Sequence, residues 1–163
     1  MKMNFFNGKP LQLFLGAALV VVSTLFVSCD KEDDDDMTDQ TYSTTGSANG
    51  SQMNPSNSST STGTLTGTYN ARTNVWQYNI SWTNLSTTAG LVQVYGPAGV
   101  GVNGTLLFPL SITIPGASGS ASGNIMLTDA QETALLANNT YFTISSTTFP
   151  SGEIRGQITS TVN

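Results

Sequence analysis

Glu153 and Arg155 are the residues of the C-terminal region whose types and spacing could do chemistry. They stand two positions apart in "FPSGEIRGQI", and from Gly63 onward the other charged residues are Arg72, Asp129 and Glu132. A carboxylate can serve as acid, base or nucleophile when a second carboxylate or an imidazole works with it. A guanidinium can grip an anion in its planar fork or tie down loop carbonyls. The chain has no histidine, which removes the commonest general base and the commonest metal ligand. The single cysteine, Cys29, allows no intrachain disulfide, and no Ser-His-Asp or Cys-His set can be assembled. A carboxylate pair would need two of Asp129, Glu132 and Glu153 to meet in a cleft, yet the first two fall on one predicted helical turn, where dipole and solubility roles are commoner. The expectation is no catalytic residue, no cofactor and no metal. Strand alternation puts Glu153, Arg155 and Gln157 on one face, with Ile154 and Ile158 on the other. That arrangement reads as a structural polar cluster holding the last strand in register, with any ligand contacted elsewhere. The alternative is a site for an anion or a carbohydrate.

The elements that must position these residues read as short strands. In "VWQYNISWTNL" (75–85), Trp76, Tyr78, Ile80 and Trp82 alternate with Gln77, Asn79, Ser81 and Thr83, the period of a strand with one buried face. The two tryptophans read as core anchors, with ligand stacking as the alternative. "TLTGTYN" (64–70), "GLVQVYG" (90–96), "TLLFPLSIT" (105–113), "GASGSASGNIML" (116–127, turn then strand), "TYFTISS" (140–146) and "EIRGQIT" (153–159) complete the set. "PAGVGVNG" (97–104) has a Gly-x-Gly-x-x-Gly spacing, but no helix follows it, so a dinucleotide loop is rejected. One helix is predicted at "DAQETALLA", opened by a capping box between Thr128 and Gln131 and closed near Asn138-Asn139. The fold class is all-β: an antiparallel, Greek-key-like sandwich or barrel of seven or so strands with one short helix.

"LTDAQETALLANNTYFTISSTTFPSGEIRGQI" resembles the closing segment of a CHRD domain, the module named for chordin and also present in bacterial secreted proteins. The resemblance rests on Tyr141, Pro150, Gly152, Glu153, Ile154, Arg155, Gly156 and Gln157, with "VYGPAGVGVNG" similar to the family's glycine-rich loop. It implies an immunoglobulin-like or superoxide-dismutase-like β-fold over about residues 63–163, with no settled activity. Related domains commonly carry a His-hydrophobic-His pair before the loop. Here the matching positions are Gln93, Val94 and Tyr95. Gln and Tyr are poor substitutes for imidazole, which counts against a metal or redox role.

The N-terminal third reads as an address and a tether. Lys2 and Lys9 precede the apolar run Leu11–Val27, and Ser28 then meets Cys29. This is the layout of a secretory signal peptide over residues 1–28. "LFVSC" resembles the lipobox of bacterial lipoproteins, cut before Cys29 after its sulfur receives diacylglycerol, with fatty chains such as palmitate. The alternative is an uncleaved span, at the short limit for crossing a membrane. Lys31, Glu32 and Asp33 resemble a tag that exports some lipoproteins to the outer face of the outer membrane. A rival rule reads Asp30 as inner-membrane retention, and a third reading makes the acidic run a solvated spacer. Seven of the ten acidic residues lie between Asp30 and Asp39. A flexible acidic run lacks the preorganised oxygen cage of a calcium site. Met37–Thr62 contains no Leu, Ile, Val or Phe, so residues 29–62 read as a lipidated, disordered tether.

These features point to a lipid-anchored binding or scaffold module, without catalysis, on the outer membrane and facing outward or into the periplasm. Its partners would be the membrane through the anchor, and a surface protein or glycan met by Ser/Thr/Asn-rich strand faces. The chain has no basic patch, so nucleic acid is not expected. The alternatives are an envelope enzyme, metal-dependent and redox-active or otherwise, and a purely structural envelope component.

Overall fold

The computed structural model describes residues 39–163. The signal segment, Cys29 and the tag at Lys31, Glu32 and Asp33 lie outside them. Nine strands and one helix follow in order: β1 Thr41–Asn49, β2 Thr62–Asn70, β3 Val75–Thr83, β4 Ala89–Gly96, β5 Thr105–Leu110, β6 Ile112–Ile114, β7 Gly119–Met126, α1 Asp129–Leu136, β8 Thr140–Ser146 and β9 Ile154–Val162. They form one sheet in the order β5-β4-β8-β9-β1-β2-β3-β7-β6, with every neighbouring pair antiparallel. The two edge strands, β5 and β6, are separated in sequence by Ser111 alone. The edges of the sheet therefore come back together, and the sheet rolls into a nearly closed barrel. This is the barrel form of the expected all-β fold. "TLLFPLSIT" supplies two strands rather than one, because the chain leaves one edge and enters the other at Ser111.

The alternation in β3 decides which side is inside. Trp76, Tyr78, Ile80 and Trp82 are buried, and they meet Leu65, Val92, Val94, Phe108, Phe142, Ile144, Ile154 and Ile158 in a single core. Both indole N–H groups find acceptors, Trp76 at Thr44 Oγ1 (2.9 Å) and Trp82 at the Gly116 carbonyl (3.1 Å). The capping box of α1 is present, and its Ala134 and Leu135 are buried.

The segment read as a tether contains a central strand. β1 lies between β2 and β9, and the ordered domain begins near Thr41 rather than Gly63. Composition misled because β1 receives large side chains rather than supplying them. Its buried positions are Thr44 and Ala48, and Gly46 sits against the Phe142 ring. A Cβ on Gly46 would come within 2.7 Å of the Gln157 carbonyl, so nothing larger fits. After β1, one 3-10 turn (Gly50–Gln52) leads into residues 53–61, which pack back on the domain through side-chain hydrogen bonds.

The outer face of β9-β1-β2-β3-β7 is neutral and polar. Cross-strand rows such as Thr161–Ser43–Thr68–Gln77–Asn124 and Thr159–Thr45–Thr66–Asn79–Ser122 run across it, all exposed.

Candidate functional site

The outer face of β4-β8-β9 is the exception, because chain folds over it. Tyr95 pairs with Tyr141, Tyr141 with Gln157, and Thr143 with Arg155, so these side chains share that face while Ile154 and Ile158 enter the core. The glycine-rich loop 97–104 covers the row, pinned by hydrogen bonds to its carbonyls. Arg155 Nη2 donates to the carbonyls of Gly99 (3.2 Å) and Val102 (2.7 Å), and Nη1 to Asn103 Oδ1 (3.3 Å). Gln157 Nε2 donates to the carbonyls of Ala98 (3.0 Å) and Asn138 (2.9 Å). With the carbonyls turned inward, Val100 and Val102 project outward, 79% and 57% exposed.

The guanidinium carbon lies 3.5 Å from the centroid of the Tyr141 ring, and Tyr95 stacks on Tyr141 at 5.3 Å and 8°. The Tyr141 hydroxyl accepts the Gly104 N–H (3.1 Å), and the Tyr95 hydroxyl donates to Gln93 Oε1 (3.0 Å). Burial pulls the guanidinium below its ordinary pKa, and Tyr141 opposes that pull. Burial likewise raises the Tyr95 phenol, with Tyr141 adding to it.

Glu153 and Arg155 do not meet. Among the described residues the one ion pair is Arg72 Nε–Asp39 Oδ1 at 3.6 Å, with both side chains well exposed. Glu153 precedes β9, and its carboxylate enters a cage of serines. The hydroxyls of Ser59, Ser61 and Ser86 and the Ser86 N–H lie 2.8 Å from Oε1, and Ser146 Oγ donates to Oε2. Asn57 Nδ2 adds a bond to the Glu153 carbonyl (2.9 Å). Burial alone would raise this carboxyl. Hydrogen bonds from Ser146, Ser59, the Ser86 N–H and Ser61 outweigh burial and bring it down from 4.5 to about 2. The expected single cluster of Glu153, Arg155 and Gln157 is thus three separate anchors. Glu153 holds the 57–61 segment and the 86 and 146 turns, while Arg155 and Gln157 hold the loop.

Between these anchored segments lies a cleft of about 550 Å³. Met53–Asn57 form one wall, Asn103 and Gly104 another, and Thr148–Gly152 a third, with Tyr95, Tyr141, Thr143 and Arg155 also lining it. The first two walls are tied together, Asn54 Nδ2 to the Gly101 carbonyl (2.8 Å) and Asn103 Nδ2 to the Asn54 carbonyl (2.9 Å). The sequence reading set Arg155 apart from any ligand contact, whereas the structure seats it in the cleft lining. The asparagines of the cleft gave no signal in a chain so rich in Ser, Thr and Asn.

A family model for the CHRD domain matches residues 44–158, well over half of the chain. The chain belongs to the CHRD domain family. The match begins inside β1, in agreement with a domain that includes that strand. No curated protein and no solved structure matches the chain significantly. In this CHRD domain the family-like ending places Arg155 and Gln157 under the glycine-rich loop. The two segments on which the resemblance rests are therefore a contacting unit, not separate signatures.

Proposed function

We propose that this CHRD domain is a non-catalytic binding module, held at the outer surface of the outer membrane by lipid on Cys29, and that its ligand sits in the cleft above Tyr95 and Tyr141. The observation that carries this reading is the cleft itself. Its walls come from three distant stretches, and hydrogen bonds involving Arg155, Gln157, Asn54 and Asn103 fix the loop and the 53–57 wall in place. A preformed concave site with aromatic floor and convergent amides is what small-ligand recognition requires. Tyr141 is buried under Arg155 and against Tyr95, so the half-exposed Tyr95 ring, with the amides and hydroxyls around it, is the surface that suits a sugar. Gln93 and Tyr95 are hydrogen-bonded to each other, and Tyr95 contributes to the cleft lining.

Tyr95→Ala removes half of the stacked floor while leaving the Arg155 bonds. It should weaken oligosaccharide binding at least tenfold in calorimetric titration, with native-like circular dichroism. Unchanged affinity would place the ligand off this cleft.

The anchor has its own test. Cys29→Ala should move the protein out of the membrane fraction and abolish fatty-acid labelling, and persistence of the label would refute the lipobox. Alanines at Lys31, Glu32 and Asp33 should reduce cleavage by added protease on intact cells, and unaltered cleavage would remove the export tag from the reading.

A further inference from the structure

Both buried charges of the domain lie beside the cleft, and both are sealed. Arg155 is 2% exposed. Its guanidinium lies on the Tyr141 ring, and both Nη2 hydrogens and one on Nη1 go to the loop. Glu153 is fully buried, with serines on both carboxylate oxygens. Apart from Arg155, no lining residue is charged. The other charged side chains among the described residues are Asp39, Arg72, Asp129 and Glu132. They belong to the Thr41 end of the barrel. Asp39 precedes β1, Arg72 follows Asn70, which pairs with Thr41, and α1 follows β7, whose last residue pairs with Val75. Arg155 pairs with Asn49, at the opposite end of β1 and about 26 Å from Thr41 at about 3.3 Å per residue.

The cleft offers apolar surface instead. The first wall carries Met53 and Pro55, the third Phe149 and Pro150, and the half-buried Tyr95 ring lies between them in the lining. The side-chain N–H groups of Asn54 and Asn103 already tie the walls to each other. Hydroxyls of Ser56, Thr148 and Ser151 are exposed in the lining, and each can donate or accept. A charged ligand would exchange water for apolar walls and hydroxyls without gaining an ionic partner, which costs free energy. A neutral ligand with apolar faces and a hydroxylated edge loses nothing of this kind and buries its C–H groups.

From this we infer that the ligand of the cleft is a neutral, β-1,4-linked oligosaccharide of all-equatorial pyranose rings. Such rings turn axial C–H groups to both faces, towards Tyr95 and the proline-bearing walls, and keep their hydroxyls at the edge, towards the serine and threonine hydroxyls. The inference rests on the cleft reading above and adds the ligand's charge and stereochemical class. A volume of about 550 Å³ holds a short oligosaccharide rather than a folded partner.

The full-length protein is titrated calorimetrically with cellotriose and with two trimers of the same β-1,4 backbone, the glucuronate (anionic) and the glucosamine (cationic at pH 6). Maltotriose, which is α-linked, is the fourth ligand. Cellotriose should bind about tenfold tighter than each of the others, and its affinity should not change between about 50 mM and about 500 mM salt. Phe149→Ala removes apolar surface from the third wall and should weaken cellotriose about tenfold, while Phe149→Leu, which keeps apolar bulk, should lose less. Asn79→Lys, on the exposed polar face of β3 and outside the cleft, should leave binding unchanged. A charged trimer that binds as tightly as cellotriose would overturn the neutral assignment, and equal binding of maltotriose would overturn the equatorial one. In both cases the cleft reading stands if Tyr95→Ala still weakens binding. Binding of none of the four, or binding lost in Asn79→Lys but kept in Phe149→Ala, would overturn the cleft reading with it.

Discussion

Glu153→Gln should destabilise the domain by about 3 kcal/mol at pH 7, and the loss should vanish in acid. The carboxylate is 0% exposed, and its pKa falls from 4.5 to about 2 on folding. A shift of that size corresponds to about 3 kcal/mol of linkage at roughly 1.4 kcal/mol per unit. The sign follows from the depressed value. The folded state holds the proton less tightly than the unfolded chain, so the contribution is fully present above pH 4.5 and is lost as pH falls towards 2. Denaturant midpoints of the parent should therefore drop across that window, and those of Glu153→Gln should stay comparatively flat. Serine hydroxyls can rotate to accept from the new amide, which keeps the variant foldable. Parallel pH profiles for the two proteins would mean that the serine cage does not stabilise the ionised form.

The uneven legibility of this chain has a physical basis. β3 and α1 were readable because each carries its own pattern: four large residues on a period of two, and a Thr–Gln capping box. β1 was not readable, because a strand that accepts Trp76 and Phe142 from its surroundings must present Thr44, Gly46 and Ala48. Burial there is a property of the partners, and composition alone reads it as linker. The serine cage was hidden for a similar reason. Ser59, Ser61, Ser86 and Ser146 look like the rest of a Ser/Thr-rich chain until one acid is placed among them. What the sequence did expose was the rarity of charge. In a domain with so few ionised side chains, Glu153 and Arg155 had to matter, and both are buried. That they do not pair could not be inferred, since alternation puts positions 153 and 155 on the same side, and the turn at Gly152 (φ +128°) lies just before them.

The second large effect is expected at Arg155. Arg155→Met keeps an apolar stem against Tyr141 but removes every bond from position 155 to the glycine-rich loop. The carbonyls of Gly99 and Val102 and the amide oxygen of Asn103 lose their donors, and the contact over the Tyr141 ring loses its charge. An unpaired buried acceptor costs about 1–3 kcal/mol, and a desolvated cation–π contact about 2. Part of this is regained, because an exposed loop can turn its carbonyls to water. A net loss of about 2–3 kcal/mol follows, or roughly 10 °C in Tm. The spatial pattern is more telling than the total. Amide exchange should accelerate at residues 99–104, where the loop is released, and change little in β2 and β3, whose core contacts are untouched. Arg155→Lys should fall between the two, since a single ammonium has no planar fork to span both carbonyls and Asn103. Loop and cleft share Arg155, so the variant that frees the loop should also abolish ligand binding. The loss of affinity should track the exchange rates across the Met and Lys variants. A loop that stays protected in Arg155→Met would show that Gln157 and Asn54 suffice to hold it, and that the arginine is there chiefly for the ligand.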